Sequence, residues 1–496
     1  MENESDIFII GGGINGAAIA ADAAGRGLSV SLCEKNDLAS GTSSACSKLI
    51  HGGLRYLELY EFGLVRSALK EREILLARAP HLISPLEFIL PHEKHLRPTW
   101  LIRIGLFLYD HLAKRHYLPR SKSLNLQKNS RGDALLPAFK TGFSYYDCFV
   151  DDSRLVIANA LSAKNNGAEI LTHTAFLSAK RDGSIWKIEL QDAVSKNIFY
   201  RYAKTLINVG GPWVKEVQDN ILTTDLTFEV ELDKGSHMVV PKLYEGNFAY
   251  ILQNSDNRIV FTIPFLEKFT LIGTTDIAFS ENLDAVKITS IEQEYLLNVI
   301  SQYFKKPLGK ESIVWSYSGV RCLQASGEHN LKNITRDYKL LIENKNKLPL
   351  LTVIGGKLTT HRVLAEQVLE KLKPYYPRMS GDWTAHQPLP GGDFVNHDLT
   401  AFLKQFKKEY AWLPEDVVTR YAKSYGTRAS LLLGQARQIS DLGEYFGCGL
   451  YQKEVDYLMQ HEWARTADDI LWRRTKLGLF LSIEEAEKLN KFCNNT

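Results

Sequence analysis

Asp6-Ile-Phe-Ile-Ile10 suits a short buried strand, and it runs into Gly11-Gly-Gly-Ile-Asn-Gly16 and a small-residue, helix-prone stretch, Ala17 to Arg26. A G-x-G-x-x-G turn between strand and helix does chemistry with main-chain atoms. Gly11 permits the tight turn, Gly13 lets the backbone approach a pyrophosphate, and Gly16 lets helix and strand pack closely. The free N–H groups and partial positive charge at the helix N-terminus then face the phosphates. Glu34 stands 18 residues past Gly16, just beyond a second strand, Leu28 to Leu32. There a carboxylate can accept hydrogen bonds from a ribose diol. A dinucleotide site is therefore predicted. The Gly-Gly-Gly-Ile-Asn-Gly form and the polar stretch after Glu34 favour FAD over NAD.

Strand, turn, helix and strand make a βαβ unit. Residues 58–79 read as a helix with Lys70, Glu71, Arg72 and Glu73 on its wet face. Strands alternate with helices to about residue 215, and residues 225–320 are richer in strand signals (227–232, 237–240, 259–263 and 269–272). The shift suggests an antiparallel substrate domain inserted into the nucleotide domain. Leu350 to Ile354 runs into a second glycine turn, Gly355-Gly-Lys357, with a helix to about Leu372. Pro388-Leu-Pro-Gly-Gly392 marks a linker, and the remainder is helical in pattern. The expected fold is α/β. Residues 1–80, 150–225 and 325–385 form the FAD-binding domain, 81–149 and 226–324 the substrate domain, and 390–496 a helical C-terminal domain.

The bulk numbers narrow the function. With 60 basic and 57 acidic side chains the net charge is +3, which argues against a nucleic-acid-coating protein. Six dispersed cysteines without a CxxC pair read as reduced thiols of a cytosolic protein. The acidic start, Met1 to Asp6, is unlike a signal peptide. No apolar run reaches the roughly 18 residues that span a bilayer. The nearest, Trp100 to Tyr109, is broken by Arg103. A cytoplasmic location with at most peripheral membrane attachment follows. No metal site and no nucleic-acid partner are expected.

Eight segments carry a more specific signal: Ile9 to Gly27, Thr42-Ser-Ser-Ala-Cys-Ser-Lys-Leu-Ile-His-Gly-Gly-Leu-Arg-Tyr56, Lys234-Gly-Ser-His237, Ile272-Gly-Thr-Thr-Asp276, Ser318-Gly-Val-Arg321, Ile334-Thr-Arg-Asp-Tyr338, Gly355-Gly-Lys-Leu-Thr-Thr360 and Ala467 to Lys476. Through them the chain resembles, end to end, the FAD-dependent glycerol-3-phosphate dehydrogenases, above all the bacterial aerobic, quinone-linked ones. The resemblance implies oxidation of sn-glycerol 3-phosphate to dihydroxyacetone phosphate on non-covalent FAD. Electrons would pass to a membrane quinone, with the enzyme peripheral on the inner face of the cell membrane. A homodimer stays open.

The resemblance also implies roles. Cofactor contacts fall to Gly11, Gly12, Gly13, Asn15, Gly16, Glu34, Lys35, Thr42, Ser43, Leu49, His51, Gly53, Gly211, Gly356, Lys357, Leu358 and Thr359. Such a substrate needs its phosphate held, its hydroxyl proton removed and its C2 hydride aimed at the flavin. Arg55 and Arg321 are candidates for phosphate and alkoxide, since a guanidinium binds two oxygens at once. His237 is the first choice of general base, against a hydrogen-bonded core histidine. His51 is catalytic or positioning. Lys357 would place positive charge by the flavin N1–C2=O region. Tyr56 and Thr274 would supply hydroxyl contacts. Ala18, Cys322 and His361 depart from the family's usual Gly, Pro and Tyr.

Rival readings are a glycerol-3-phosphate oxidase using oxygen, an amino-acid or amine oxidase of the same fold, and a flavin-bound RNA-modifying or RNA-binding protein. Lacking a phosphate, an amino acid would leave one arginine underused. The charge balance weighs against RNA. For membrane attachment the candidate is Leu96 to Arg115, with Trp100, Phe107 and Tyr109 for the headgroup boundary and Arg97, Arg103, Lys114 and Arg115 flanking. The alternative is a core helix with one wet end.

Overall fold

The apolar strand Glu4–Ile10 lies inside a sheet, in parallel with Val30–Cys33 on one side and Ile198–Asn208 on the other. Leu348–Ile354 adds a further parallel strand. The computed structural model describes residues 3–93, 98–256, 258–325 and 337–495. The first helix, α1 (Ile14–Gly25), buries Ala17, Ala20 and Ala23 completely, because it is wedged between the sheet, a second helix and the late helix His361–Leu372. Only small side chains permit that close approach. The alternation expected up to residue 215 gives way to three consecutive antiparallel strands, Thr174–Asp182, Ile185–Asp192 and Ile198–Asn208, joined by short turns.

Residues 58–79 begin with a 3₁₀ turn, Leu54–Leu59, and become helical only in α2 (Phe62–Arg78). The wet face assigned to Glu71, Arg72 and Glu73 is corrected: all three are buried. Each has a partner distant in sequence. Arg72 pairs with Asp147 at 2.6 Å, Glu71 with Arg362 at 2.6 Å, and Glu73 accepts from the His116 and Tyr117 amides.

The second sheet gathers Leu49–Ile50, Ile83–His92, Thr141–Val150 and the strands between 230 and 324. The segments expected at 227–232 and 237–240 are one strand, Val230–Pro241, kept in unbroken register with Trp315–Gln324 through Gly235 opposite Gly319. The sheet is not wholly antiparallel, since Phe248–Gln253 runs parallel to Ile83–His92. Over one face lies α3 (Thr99–His111), which exposes Trp100, Leu101, Ile104 and Phe107. Tyr109, expected at a headgroup boundary, is instead buried and donates to Asp147 at 2.8 Å. Leu96 and Arg97, like Ile334 to Arg336, lie outside the described residues. Among the described residues no helix is long and apolar enough to cross a membrane.

Past the linker, short helices and one small two-stranded sheet close around their own apolar core, including Val417, Tyr421, Val455, Leu458 and Ile470. This C-terminal domain docks through charge. Arg474, fully buried, forks onto Asp37 with two contacts of 2.8 Å, and Arg473 reaches the same carboxylate at 2.5 Å. Arg154 of the helix α4 (Asp152–Asn165) pairs with Glu462, and Lys476 with Asp151. Asp37→Ala strips buried Arg474 of its hydrogen-bonded carboxylate, leaving only Glu462 at 3.9 Å, which costs about 3–5 kcal/mol. Its melting temperature should fall by several degrees, with protease cutting first in the C-terminal domain. An unchanged melting curve would show that the docking does not depend on this carboxylate.

Candidate active site

The three motif glycines have separable reasons for lacking a side chain. Gly11 sits at φ +118°, and a Cβ there would meet Val209 O at 2.5 Å. A Cβ on Gly16 would lie 1.9 Å from Gly11 O. On Gly13 it would meet only Ser43 Oγ, at 3.1 Å. Gly11 and Gly16 are thus bare for the protein's own sake, whereas Gly13 keeps space open at the N-terminus of α1. The Gly12 and Asn36 amides donate to the two oxygens of Glu34 at 2.8 and 2.9 Å, so the carboxylate is aimed before any ligand arrives. Burial nonetheless pushes its pKa up.

The second glycine turn interlocks with the first. Asn15 Nδ2 donates to Gly355 O at 3.1 Å, and Gly356, at φ +102°, could not carry a Cβ without coming within 2.6 Å of that amide. Asn15 Oδ1 is buried without a hydrogen-bond partner. Bare space at a helix N-terminus, an aimed carboxylate and an orphaned acceptor fit a bound dinucleotide. Ser43 Oγ accepts from the Ile14 amide at 3.0 Å, and Thr42 Oγ1 donates to Val320 O at 2.6 Å. Leu49 is buried in its strand, and Gly211 takes φ +57° ahead of Trp213. Lys35 instead pairs with Asp284 at 2.7 Å and lies over the Trp213 ring.

The expected substrate residues assemble as two groups. In the first, Gly53 at φ +71° turns the chain into the 3₁₀ turn bearing Arg55 and Tyr56. Lys357 Nζ lies 4.2 Å from the Tyr56 ring centre. The His51 amide donates to Thr359 Oγ1 at 3.2 Å, next to Leu358, and burial lowers the His51 pKa. A buried chain holds this turn: Arg72 to Asp147, Tyr109 to Asp147, and the Gly52 amide to the Tyr109 hydroxyl at 2.8 Å.

In the second group, His237, Thr274 and Arg321 come from three adjacent strands or their ends. Gly235 lets them converge: a Cβ there would sit 2.6 Å from Thr274 Oγ1 and 2.8 Å from an Arg321 Nη. Arg321 leans on buried Asp233 at 3.3 Å and keeps 32% exposure. Beneath, Glu292 takes Lys234, Ser236, Thr275 and Thr289, which hold its pKa down to about 2 although burial pushes it up. His237 is buried and stacked on Tyr317, with Nε2 2.9 Å from Ser47 Oγ. Burial, then Lys48 and Arg321, push its pKa down to about 3.

The segment from Thr42 to Gly53 joins the groups, and its anchors were absent from the expected set. Buried Lys48 binds both oxygens of buried Asp152 at 2.8 Å. Ser47 and Lys48 stood inside a quoted motif, but nothing marked Asp152, 104 residues away, as a partner. Of the departures, Ala18 packs within α1, Cys322 is buried, and His361 is fully buried with Nδ1 2.7 Å from Leu358 O. Among the described residues no cluster of His, Cys, Asp or Glu could hold a metal.

A glycine turn that leaves room for phosphates, bound to a second turn beside a cationic, histidine-bearing sheet, fits an FAD-dependent oxidoreductase. Residues 6–362 match the family described as FAD dependent oxidoreductase, and 383–493 match the C-terminal domain of alpha-glycerophosphate oxidase. The chain is 50% identical to the aerobic glycerol-3-phosphate dehydrogenase of Escherichia coli, over 98% of this chain and 97% of that one. It is 46% identical to the D-erythritol 1-phosphate dehydrogenase of Brucella abortus, over 97% and 96%. A solved glycerol-3-phosphate dehydrogenase from Bacillus halodurans, complexed with FAD, superposes with a TM-score of 0.78 at 26% identity, covering 100% of this chain and 94% of that one. The chain belongs to the FAD-dependent glycerol-3-phosphate dehydrogenase family.

Gly13→Val should give a folded, colourless protein, while Gly16→Ala, which drives a methyl into Gly11 O, should fail to fold. Visible absorbance and circular dichroism separate the two. A fully yellow Gly13→Val protein would refute the phosphate cradle. The pH dependence is also fixed in sign. His81, His237 and His361 are each held at about 3, below the ordinary 6.5. Between those values the unfolded chain binds protons that the folded chain refuses. Stability is therefore fully present above pH 6.5 and declines toward pH 3, by about 1.4 kcal/mol per pH unit for each histidine. Glu292 adds further loss below pH 4.5. Melting temperatures should hold from pH 7.5 to about 6.5 and then fall toward pH 5, and His361→Phe should flatten that fall.

Proposed function

We propose that the enzyme oxidises sn-glycerol 3-phosphate to dihydroxyacetone phosphate. The observation that carries this reading is the convergence of Arg321 and Thr274 across Gly235, two residues along the strand from His237. Arg55 and Arg321 grip the phosphate and the reacting oxygen, because a guanidinium offers paired donors. Tyr56 and Thr274 orient the remaining oxygens, and His237 takes the hydroxyl proton. Lys357, over the Tyr56 ring, keeps positive charge at the cofactor's edge. FAD, when bound, supplies the acceptor for the C2 hydride. The chain's own work is to hold Glu34 and the Gly13 space for the cofactor and to keep base and cations fixed.

Anaerobic mixing with glycerol 3-phosphate should bleach the flavin, and glycerol should do so poorly. Arg55→Ala and Arg321→Ala should each weaken substrate use by about 10- to 100-fold while FAD stays bound. His237→Ala should slow bleaching by about 10²–10⁴-fold. Equal bleaching by glycerol would sink phosphate recognition. The erythritol-phosphate relative makes a longer polyol phosphate the competing substrate, decided by kcat/KM on both.

The acceptor in this reading is a membrane quinone, met at the inner face of the cell membrane. The exposed apolar side of α3 supports it, as does a cavity of about 690 Å³ at the end of that helix, lined by Arg66, Lys70, Lys114 and Arg120 beside the Arg115–Asp110 pair. Indole and phenyl rings suit the headgroup boundary, and each basic residue there contributes about 1 kcal/mol with anionic lipid. The protein should float with anionic vesicles at low salt, and Trp100→Ser/Phe107→Ser/Lys114→Ala should stay at the bottom. Equal flotation of that variant would move the attachment elsewhere.

A further inference from the structure

Ser47 stands outside every role assigned so far, yet its hydroxyl is 2.9 Å from Nε2 of His237. Several contacts hold it there. Lys48 follows it at φ +57°, with Nζ bound to Asp152 and, at 3.0 Å, to Ser44 O. The Cys46 carbonyl accepts from the Tyr317 hydroxyl at 2.8 Å, and the same Tyr317 stacks on the imidazole at 5.0 Å and 17°. One tyrosine therefore fixes both the loop and the plane of the ring. On the ring's edge, Gly273 leaves no spare room: a Cβ there would touch His237 Cδ2 at 2.2 Å. The remaining nitrogen, Nδ1, is buried without a hydrogen-bond partner.

Two neutral tautomers fit this geometry. If Ser47 donated to Nε2, Nδ1 would carry the hydrogen and could accept no proton. If Nε2–H donates to Ser47 Oγ, the lone pair lies on Nδ1. We propose that Ser47 is a positioning residue that accepts from Nε2–H of His237 and so leaves Nδ1 as the atom that takes the substrate's hydroxyl proton. The proposal rests on the reading of His237 as general base. In the step, the O–H bond breaks and Nδ1–H forms. The pair left on oxygen closes the C2=O bond as the C2 hydride departs to FAD, the oxidant. The ring gains positive charge as this happens. Lys48 and Arg321 oppose that charge, while Asp152 is already engaged by Lys48. The bond to Ser47 becomes charge-assisted at the same moment and offsets part of the repulsion.

The test is a double-mutant cycle read by anaerobic stopped-flow reduction of the flavin with glycerol 3-phosphate, each variant first checked for FAD content and melting temperature. Ser47→Ala should lower the limiting rate about 10-fold and leave substrate affinity within about twofold. Ser47→Thr, which keeps the hydroxyl, should restore most of the rate. In a His237→Ala background, Ser47→Ala should slow nothing further, because a residue acting only through the imidazole has nothing left to position. If Ser47→Ala loses FAD, Ser47→Cys, a far weaker acceptor, takes its place in the cycle. A normal rate in Ser47→Ala beside a slow His237→Ala overturns the role of Ser47 and leaves the base assignment standing. Additive losses overturn it too, since Ser47 would then act independently. A normal rate in His237→Ala overturns both.

Discussion

The buried ion pair between Lys48 and Asp152 is the point on which both halves of the site hang. Its two side chains are 2% and 0% exposed, so water screens neither charge. Such a pair is stable only while complete, because removing one partner strands the other in low dielectric. The lysine stays charged, since Asp152 raises its pKa against the pull of burial. Around this fixed point the chain from Thr42 to Gly53 serves two sheets at once. Ser43 caps the first turn of α1, while Leu49 and Ile50 pair in the second sheet. The cofactor turn and the substrate sheet thus share one short, rigid stretch of backbone.

Much of this was legible in the residues. The glycine turn, Glu34 and the second turn at Gly355 follow from local rules, because each needs only backbone conformation and near neighbours. The crowding at Gly11 and Gly16 agrees with the tight turn and close packing read for them. Illegible were pairings set by the tertiary fold. Glu71, Arg72 and Glu73 looked like a solvated face because charge runs usually are, and nothing in α2 announces Asp147 or Arg362. Tyr109 looked like a membrane aromatic until its hydroxyl met Asp147. Two separate strands were expected, at 227–232 and 237–240, where the structure has the single strand Val230–Pro241. The strand continues because a glycine faces it across the sheet.

The two expected groups of substrate residues also differ in how they are held. Arg55 and Tyr56 stand on a turn braced by one buried carboxylate, Asp147, and Lys357 on a turn tied by Asn15. His237, Thr274 and Arg321 stand on a continuous sheet braced by another, Glu292. Turns with a single brace open at lower free energy than strands in full register. Any movement that admits substrate is therefore expected on the side of the 3₁₀ turn, with the histidine side as the fixed wall.

Asp37 gives the C-terminal domain a stake in the cofactor. It lies three residues past Glu34, and its carboxylate is gripped by Arg473 and Arg474 from the far end of the chain. On the reading of Glu34 as a nucleotide ligand, docking and binding both order this loop, so the two are linked and the linkage is reciprocal. Whatever affinity the docked domain lends to the nucleotide, the nucleotide returns as adhesion between domains. In synthesis Arg473 and Arg474 emerge long after Asp37, so this grip forms late. Tight retention of the coenzyme then reports a docked C-terminal domain.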